Sequence, residues 1–237
     1  MNVLAIGAHP DDIELGCAGA LARHRDSGHR VFMLVMTMGE RGQLNGESRV
    51  EEQERAAKLL GADLIWAGFD DGAIPNGPET VSVIDAVLSR HDIDVVYTHS
   101  PNDSHQDHVA TARASMAAGR RTQRVLCYQA PSTTSFDPNV FVDITESLDL
   151  KIDALLEHRS QVLGCEMIEL DAIRAGARYW GQRARVVHAE AFESPRFVWD
   201  PAGVASRAPR LTVATSLRST NEYAGVPVSV HAPAAGL

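Results

Sequence analysis

Two short clusters of histidine and aspartate each follow an apolar run in this chain. The first is His9-Pro10-Asp11-Asp12, and the second is His105-Gln106-Asp107-His108. Imidazole nitrogens and carboxylate oxygens are common zinc ligands, and a catalytic zinc site uses three protein ligands and leaves one position for water. A further carboxylate beside the ion can act as the base for that water. The two clusters together therefore predict a hydrolytic metal site.

The residue types divide the work within each cluster. His9 and Asp12 are three positions apart, and both can reach one ion if a helix begins at this turn. Asp11 points elsewhere and stays free. Capping of the helix is the alternative role for either aspartate, but it leaves His9 unexplained. His105 and His108 share a helix face, so one can complete the metal site while the other acts on the substrate.

Apolar runs alternate with helical patterns in the first half of the chain, which is typical of βαβ units and a parallel sheet. Ser48 with Glu51 has the spacing of a capping box, and Gly61 fits the end of the same helix. The predicted strands are residues 2–8, 30–37, 63–67 and 94–99, and the predicted helices between them are residues 14–27, 48–61 and 79–91.

The predicted fold is an α/β, Rossmann-like three-layer sandwich whose twisted, mostly parallel sheet has the strand order 3-2-1-4-5. In this order strands 1 and 4 are neighbours, and ligands bind beyond their carboxyl ends, where the strand order reverses. The first cluster leaves strand 1 and the second follows strand 4. We therefore expect the two clusters to meet in that crevice, although about a hundred residues separate them.

The second half of the chain gives a coarser prediction. It contains a fifth strand over residues 124–129, an extended piece over 139–144, helices over 147–163 and 166–182, and a strand over 186–192. Residues 1–199 are predicted to form one domain. Residues 200–237 are rich in Ser, Thr, Ala and Pro and are predicted to form an extended or partly ordered C-terminal tail.

Composition limits the class of protein. The 237 residues are 44% hydrophobic and 22% charged, as in soluble globular proteins. The net charge of −9 makes nucleic acid a poor partner. We see neither a signal peptide nor an apolar run long enough for a membrane, so a cytoplasmic location is expected. Cys17, Cys127 and Cys165 are too few and too widely spaced for a disulfide framework. Homo-oligomer formation is left open.

The motif from Ala8 to Gly16, with its His-Pro-Asp-Asp core, and the motif from Thr98 to His108 resemble the PIG-L/LmbE family of zinc-dependent deacetylases. These enzymes remove an N-acetyl group from substrates that contain N-acetylglucosamine. The resemblance extends from about residue 2 to residue 192 and leaves out the tail. Further matching segments are Gly39-Glu40-Arg41-Gly42, Lys151, His158-Arg159-Ser160-Gln161 and Ala189-Glu190-Ala191-Phe192.

The resemblance implies a metal site made by His9, Asp12 and His108. They would hold one zinc ion per chain, although another divalent metal also suits such a donor set. Asp11 would be the general base for the attacking water. These assignments agree with the chemistry of the residues, because zinc polarises an amide carbonyl and lowers the pKa of bound water to about 7.

Further roles follow from the same resemblance. His105 would stabilise the oxyanion or protonate the leaving amine, with Asp107 orienting and charging its imidazole. Arg41 is a candidate substrate contact, for sugar hydroxyls, a carboxylate or a phosphate, with a surface ion pair to Glu40 or Glu47 as the alternative. Asn102 is a second candidate, although a turn-forming role explains it equally well.

Seven other histidines are interpreted as structural or surface groups. Two of them, His99 and His188, are the candidates for a different role, because each lies near the end of a predicted strand. The seven are His24, His29, His91, His99, His158, His188 and His231.

The predicted function is that of a zinc-dependent hydrolase acting on an N-acetylglucosamine-type amino sugar or small glycoside, with release of acetate and a free amine. One alternative is an amidase for another small N-acyl substrate, such as a thiol conjugate. Another is a zinc-stabilised binding module without turnover, which would need neither Asp11 nor His105. A nucleotide-binding domain is disfavoured, because His-Pro-Asp-Asp stands where a G-x-G-x-x-G turn would be required.

Overall fold

The computed structural model describes residues 1–42, 48–162 and 168–200. The predicted tail lies outside the described residues except for Asp200, as do Cys165 and His231. The strands are β1 (Asn2–Gly7), β2 (Arg30–Thr37), β3 (Asp63–Phe69), β4 (Val95–His99), β5 (Arg124–Tyr128), β6 (Val140–Asp143) and β7 (Ala189–Phe197). The α-helices are α1 (Asp12–Asp26), α2 (Arg49–Leu60), α3 (Pro78–Arg90), α4 (Gln106–Ala118), α5 (Leu148–Leu156), α6 (Arg159–Val162) and α7 (Leu170–Ala184).

The strands form one sheet in the order β3-β2-β1-β4-β5-β7-β6. Strands β1 to β5 are parallel and have the predicted order 3-2-1-4-5. The extended piece and the last predicted strand become β6 and β7, which continue the sheet as antiparallel strands beyond β5. Pairing of Val3 with Val95 and of Ala5 with Tyr97 aligns β1 with β4. The segments that leave these two strands therefore emerge side by side.

Helices cover both faces of the sheet. Successive residues of β1 point to opposite faces, so Val3 and Ala5 pack with α1, α2 and α5, whereas Leu4 and Ile6 pack with α3 and α4. All four side chains are fully buried, as expected for the central strand of a parallel sheet that is covered on both sides. The predicted three-layer α/β sandwich is confirmed. No helix within the described residues has the length and apolarity needed to cross a membrane.

Local signals placed α2 correctly, whereas tertiary contacts divided the helix predicted over residues 147–163. Ser48 caps α2 by accepting a hydrogen bond from the Glu51 amide, and Gly61 ends it with a φ of 66°. The divided helix becomes α5 and α6. At the start of α6, the amide and the hydroxyl of Ser160 both donate to the carboxylate of Glu52, at 2.7 and 2.6 Å. Local helix propensity cannot predict this contact with α2, because the two residues are distant in the sequence.

Candidate metal centre and active site

The side chains of His9, Asp12 and His108 meet at the carboxyl ends of β1 and β4. One oxygen of Asp12 lies 3.4 Å from Nδ1 of His9, and the other lies 3.4 Å from Nε2 of His108. The two imidazole rings are 5.4 Å apart between centroids, and all three residues are buried. Two imidazoles and a carboxylate converging in this way form a donor set that suits zinc. The structure thus places the three predicted ligand residues side by side. The potential metal-binding groups among the described residues divide them, because one group joins His9, His105 and His108 and another joins Asp12, His99 and His108.

His99, the last residue of β4, adds a further imidazole to this group. Its Nε2 lies 3.1 Å from Asp12 and 3.2 Å from the amide of Ala8, and its ring stacks on His108 with centroids 4.0 Å apart. Burial lowers the pKa of His99 to about 4, so the ring is neutral. The sequence singled out this position without assigning it a role. The other histidine singled out in this way, His188, is not among the residues that line the cavity described below.

Nε2 of His9, the ring nitrogen that does not face Asp12, lies between two carboxylates. It lies 3.2 Å from Asp71 and 3.2 Å from Asp107. Asp107 also accepts a 2.7 Å hydrogen bond from the amide of Gly72. Such partners fix the tautomer of a ligating histidine and leave its other nitrogen free for a metal. Asp71, the second of two adjacent aspartates in the loop after β3, was not predicted as a site residue from the sequence.

Asp107 contacts a different histidine from the predicted one. We expected it to orient and charge His105, but its carboxylate bonds to His9 and to the amides of Gly72 and Ile74. Its backbone amide is the group that reaches His105, donating to Nδ1 of that ring at 3.3 Å. The physical reason is direction: the first turn of α4 points this carboxylate towards β1.

His105 is exposed, whereas His9, His99 and His108 beside it are buried. It occupies the N-cap position of α4, and its ring stacks on His108 with centroids 4.5 Å apart. Burial of the ring, together with the nearby charges of His108 and His9, lowers its pKa below the ordinary value despite the opposing effect of Asp107. The structure therefore favours a neutral ring over the predicted imidazolium. With Nδ1 accepting a hydrogen bond, Nε2 carries the proton.

Asp11 lies between β1 and α1 in a left-handed backbone conformation, with φ 86° and ψ −26°. This conformation is uncommon for residues other than glycine and is tolerated best by Asn and Asp. Although Asp11 occupies the N-cap position, its side chain makes no capping hydrogen bond. Burial raises its pKa to about 6, against the opposing charge of Arg49. A carboxylate with this pKa is well suited to act as a base near neutral pH.

Arg49, at the start of α2, is a site residue that was not predicted from the sequence. Its Nη2 lies 3.2 Å from Oδ2 of Asp11 and donates to the carbonyl of Pro10 at 2.6 Å. Its position also accounts for the glycines of the Gly39-Glu40-Arg41-Gly42 motif. A Cβ atom on Gly39 or Gly42 would lie 2.6 or 2.5 Å from its Nη1. The motif therefore leaves room for a buried guanidinium beside the carboxylate of Asp11.

A cavity of about 580 Å³ opens above the side chains of His9, Asp12 and His108. Asp11, Arg41 and Arg49 line it, and Leu15 and Ile168 contribute apolar wall. This volume lies within the roughly 300–1,000 Å³ usual for small-molecule sites. Side chains from both polar clusters line the cavity. A small molecule bound there would therefore lie against Asp11 and also against His9, Asp12 and His108.

The two predicted substrate contacts have different outcomes. Arg41 lines the cavity; its amide donates to Asp71 at 2.8 Å, and its guanidinium lies where a side chain on Gly72 would stand. Asn102 is not among the lining residues. Its carbonyl accepts hydrogen bonds from the amide and hydroxyl of Thr134, at 2.8 and 3.1 Å. These contacts fit the turn-forming interpretation of Asn102, and its role as a substrate contact stays a prediction.

Metal binding is expected to release protons. Burial opposes the protonation of His9, but hydrogen bonds to Asp107 and Asp12 outweigh it and raise its pKa to about 9. Burial is likewise outweighed at His108, where Asp12 and Asp103 raise the pKa to about 10. Both rings therefore carry protons near neutral pH in metal-free protein, and a cation must displace them.

Calorimetric titration with zinc, in buffers of different ionisation enthalpy, should detect release of about two protons per ion at pH 7. The apparent affinity for zinc should rise with pH up to about 9. Below that pH the raised pKa values of His9 and His108 keep both rings protonated, and protons compete with zinc for the ring nitrogens. Binding without proton release, or affinity that falls as pH rises over this range, would contradict the assignment of these two ligands.

Comparison with known proteins gives matches over most of the chain. Residues 4–119 match the PIG-L family, described as GlcNAc-PI de-N-acetylase. The uncharacterized deacetylase YaiS of Escherichia coli K12 is 40% identical over 168 residues, covering 67% of this chain and 91% of the relative. Diacetylchitobiose deacetylase of Thermococcus kodakarensis is 29% identical over 186 residues, covering 68% and 70%. The conserved protein TT1542 from Thermus thermophilus superposes with a TM-score of 0.76 at 32% identity, covering 86% and 99%.

Proposed function

Because the chain belongs to the PIG-L/LmbE family and its relatives include deacetylases and an amidase, we propose that it is a zinc-dependent N-deacetylase of small amino sugars or glycosides. The products would be acetate and a free amine. One observation carries the proposal: a group of metal donors and a separate buried carboxylate, Asp11, line the same cavity.

Three residues would hold the ion, namely His9, Asp12 and His108. Their side chains lie against one another, and His9 is supported from behind by Asp71 and Asp107. Zinc bound there would supply Lewis-acid polarisation of the amide carbonyl and acidification of the attacking water. The neutral ring of His99 stacks on His108 and lies beside Asp12, so it packs against two of these three residues.

Asp11 would move the proton. Its pKa of about 6 leaves it ionised at neutral pH, so its carboxylate can accept a proton from water as that water attacks the acetamide carbon. Arg49 holds one carboxylate oxygen at 3.2 Å. Once protonated, Asp11 can deliver the same proton to the departing nitrogen, which must be protonated because an amine anion is a very poor leaving group.

His105 would stabilise charge on the carbonyl oxygen. Since Nδ1 accepts the Asp107 amide, the proton on Nε2 is available for a hydrogen bond that strengthens as negative charge develops. We expect His105→Ala to retain its metal and to lower kcat by about a hundredfold, as measured by acetate release alongside metal analysis. His91→Ala, a change to a histidine that packs against Phe32, is the matched control. Loss of metal from His105→Ala would make His105 a ligand instead.

The substrate class is inferred from the cavity and the relatives. The volume of the cavity suits a mono- or disaccharide with a modest substituent. Arg41, with its guanidinium against Gly72, is proposed to bind sugar hydroxyls or an anionic group on the substituent. The name of the Thermococcus relative indicates an N-acetylated disaccharide as the substrate of that enzyme, which supports N-acetylated sugars as the first compounds to test.

An acetate-release assay with zinc-loaded protein tests the proposal. The panel should contain N-acetylglucosamine, its disaccharide, small glycosides that carry neutral or acidic substituents, and N-acetylated thiol conjugates. Release of acetate from the sugars but not from the thiol conjugates supports the proposal. Release of acetate from the thiol conjugates alone favours the amidase alternative. Tight binding of several sugars without any acetate release would support a zinc-stabilised binding module.

A further inference from the structure

We propose that Gln53, a buried residue of α2, is a positioning residue for Asp11. It holds the backbone turn that aims the Asp11 carboxylate into the cavity, although it does not itself line the cavity. This inference rests on the proposed role of Asp11 as the general base. It concerns a residue that belongs to none of the motifs singled out in the sequence.

Two adjacent aspartates must point in different directions at this site. Asp12 faces the imidazoles of His9 and His108, whereas Asp11 faces Arg49. The left-handed conformation of Asp11, with φ 86° and ψ −26°, separates the two carboxylates. A residue other than glycine persists in such a conformation only when its surroundings hold it there. The Asp11 side chain makes no capping hydrogen bond that would do so.

The amide of Asp11 has its hydrogen-bond partner on a different helix. It donates to Oε1 of Gln53 at 3.2 Å. Gln53 is fully buried, and its Nε2 donates to Oε1 of Glu14 at 2.6 Å. Because Glu14 offers an acceptor to Nε2, the side-chain amide of Gln53 cannot turn round without placing two oxygens against each other. Its oxygen is therefore kept facing Asp11.

The support behind Gln53 is also buried. Glu14 lies on α1, one turn after Asp11, and its second oxygen is 3.4 Å from Nε2 of His158. Both Glu14 and His158 are fully buried. The contact chain therefore runs from the start of α6 through α1 and α2 to the backbone of Asp11. It gives a physical role to the histidine of the His158-Arg159-Ser160-Gln161 segment.

Arg49 and Gln53 act on Asp11 from the same face of α2. They are four residues apart, the spacing that places side chains next to each other on a helix. Arg49 contacts the carboxylate of Asp11 and Gln53 contacts its backbone amide. One helix thus fixes both the side chain and the turn that carries it. Misplacement of a reacting group by about 1 Å can cost about a hundredfold in rate.

Gln53→Met tests the proposal, because methionine fills a similar space without either hydrogen bond. We expect kcat to fall by about ten- to a hundredfold, with little change in KM and unchanged zinc content. Amide hydrogen exchange of Asp11, measured in metal-free protein, should become faster. Leu60→Ala, a cavity-forming change at the other end of α2, is the control for lost stability, with both variants assayed well below their melting temperatures.

A paired exchange provides the rescue. Gln53→Glu keeps an acceptor for the Asp11 amide but opposes Glu14, so it should also lower kcat. Combining it with Glu14→Gln reverses the hydrogen bond between the two side chains, and most of the lost kcat should return. A merely structural loss of side-chain packing would not be recovered by this exchange.

The outcomes separate this inference from the proposed function. If Asp11→Asn keeps its turnover, the proposed base is wrong. If Asp11→Asn is inactive but Gln53→Met retains wild-type kcat, only the positioning role is overturned. Loss of zinc from Gln53→Met, or unchanged exchange of the Asp11 amide, would overturn the positioning role as well.

Discussion

Replacing Asp11 with asparagine is expected to lower kcat by about a thousandfold while leaving the bound metal in place. Asparagine tolerates the left-handed backbone of this position and has nearly the same shape, but it cannot accept a proton from water. The measurement combines initial rates of acetate release with metal analysis of the purified protein. Retention of more than about a tenth of the wild-type kcat would remove Asp11 from the chemistry.

Asp12→Asn is the matched change, because it makes the same substitution at the next residue. Asp12 lies between His9 and His108, so this variant should lose metal as well as activity. If instead Asp11→Asn loses metal and Asp12→Asn keeps it, the two aspartates have exchanged roles.

The same carboxylate sets the direction of the pH dependence. The pKa of Asp11 is raised to about 6, so the base is lost by protonation as the pH falls through that value. A bound cation would oppose this rise and bring the pKa of Asp11 down. The acid limb of kcat/KM for the wild-type protein should therefore lie at or below about pH 6. An activity that increases towards lower pH would be incompatible with an ionised base at residue 11.

Removal of the metal should have an equally large effect. A chelator followed by gel filtration is expected to reduce acetate release by at least about a thousandfold, because both polarisation of the carbonyl and acidification of water are then lost. Stoichiometric zinc should restore the activity. His108→Ala removes a ligand that is 3.4 Å from Asp12, so zinc at the same concentration should not restore that variant.

The identity of the metal is tested in the same experiment. Iron, cobalt and manganese added in place of zinc to the metal-free protein give an order of activities, to be compared with the metal in protein purified without added ions. Metal-free protein with full activity would end the proposed mechanism.

The convergence of the two clusters could be predicted because it depends on topology. Strand order 3-2-1-4-5 makes β1 and β4 neighbours, and residues that leave parallel neighbours at the same end must meet. His9 and Asp12 were therefore recognisable from their types and their place after β1, whereas the choice of His108 over His105 as the third ligand came from the family resemblance. Residues 139–144 were predicted only as an extended piece and residues 186–192 as a strand, but their antiparallel places in the sheet as β6 and β7 were not predicted, because nothing local specifies their partners.

The rest of the site could not be predicted, because its contacts join single residues from distant elements. Arg49 and Gln53 look like ordinary positions of an amphipathic helix, and Asp71 is one of two adjacent aspartates in a loop. Their importance comes from the contacts with Asp11 and His9. Asp107 shows a related limit: the family resemblance implied His105 as its partner, but the direction of its side chain selected His9.

The pairing of β1 with β4 also constrains the order of events as the protein is made. Val3 pairs with Val31 and with Val95, so the first strand lies at the centre of the sheet but waits for a partner more than ninety residues later. Such long-range pairing is slow, and a nascent chain folds largely in the order of synthesis. The metal centre therefore cannot be assembled on the ribosome until β4 and the start of α4 have emerged. Until then β1 can pair only with β2, and its other edge stays open, so early collapse or chaperone binding would matter most for this apolar strand.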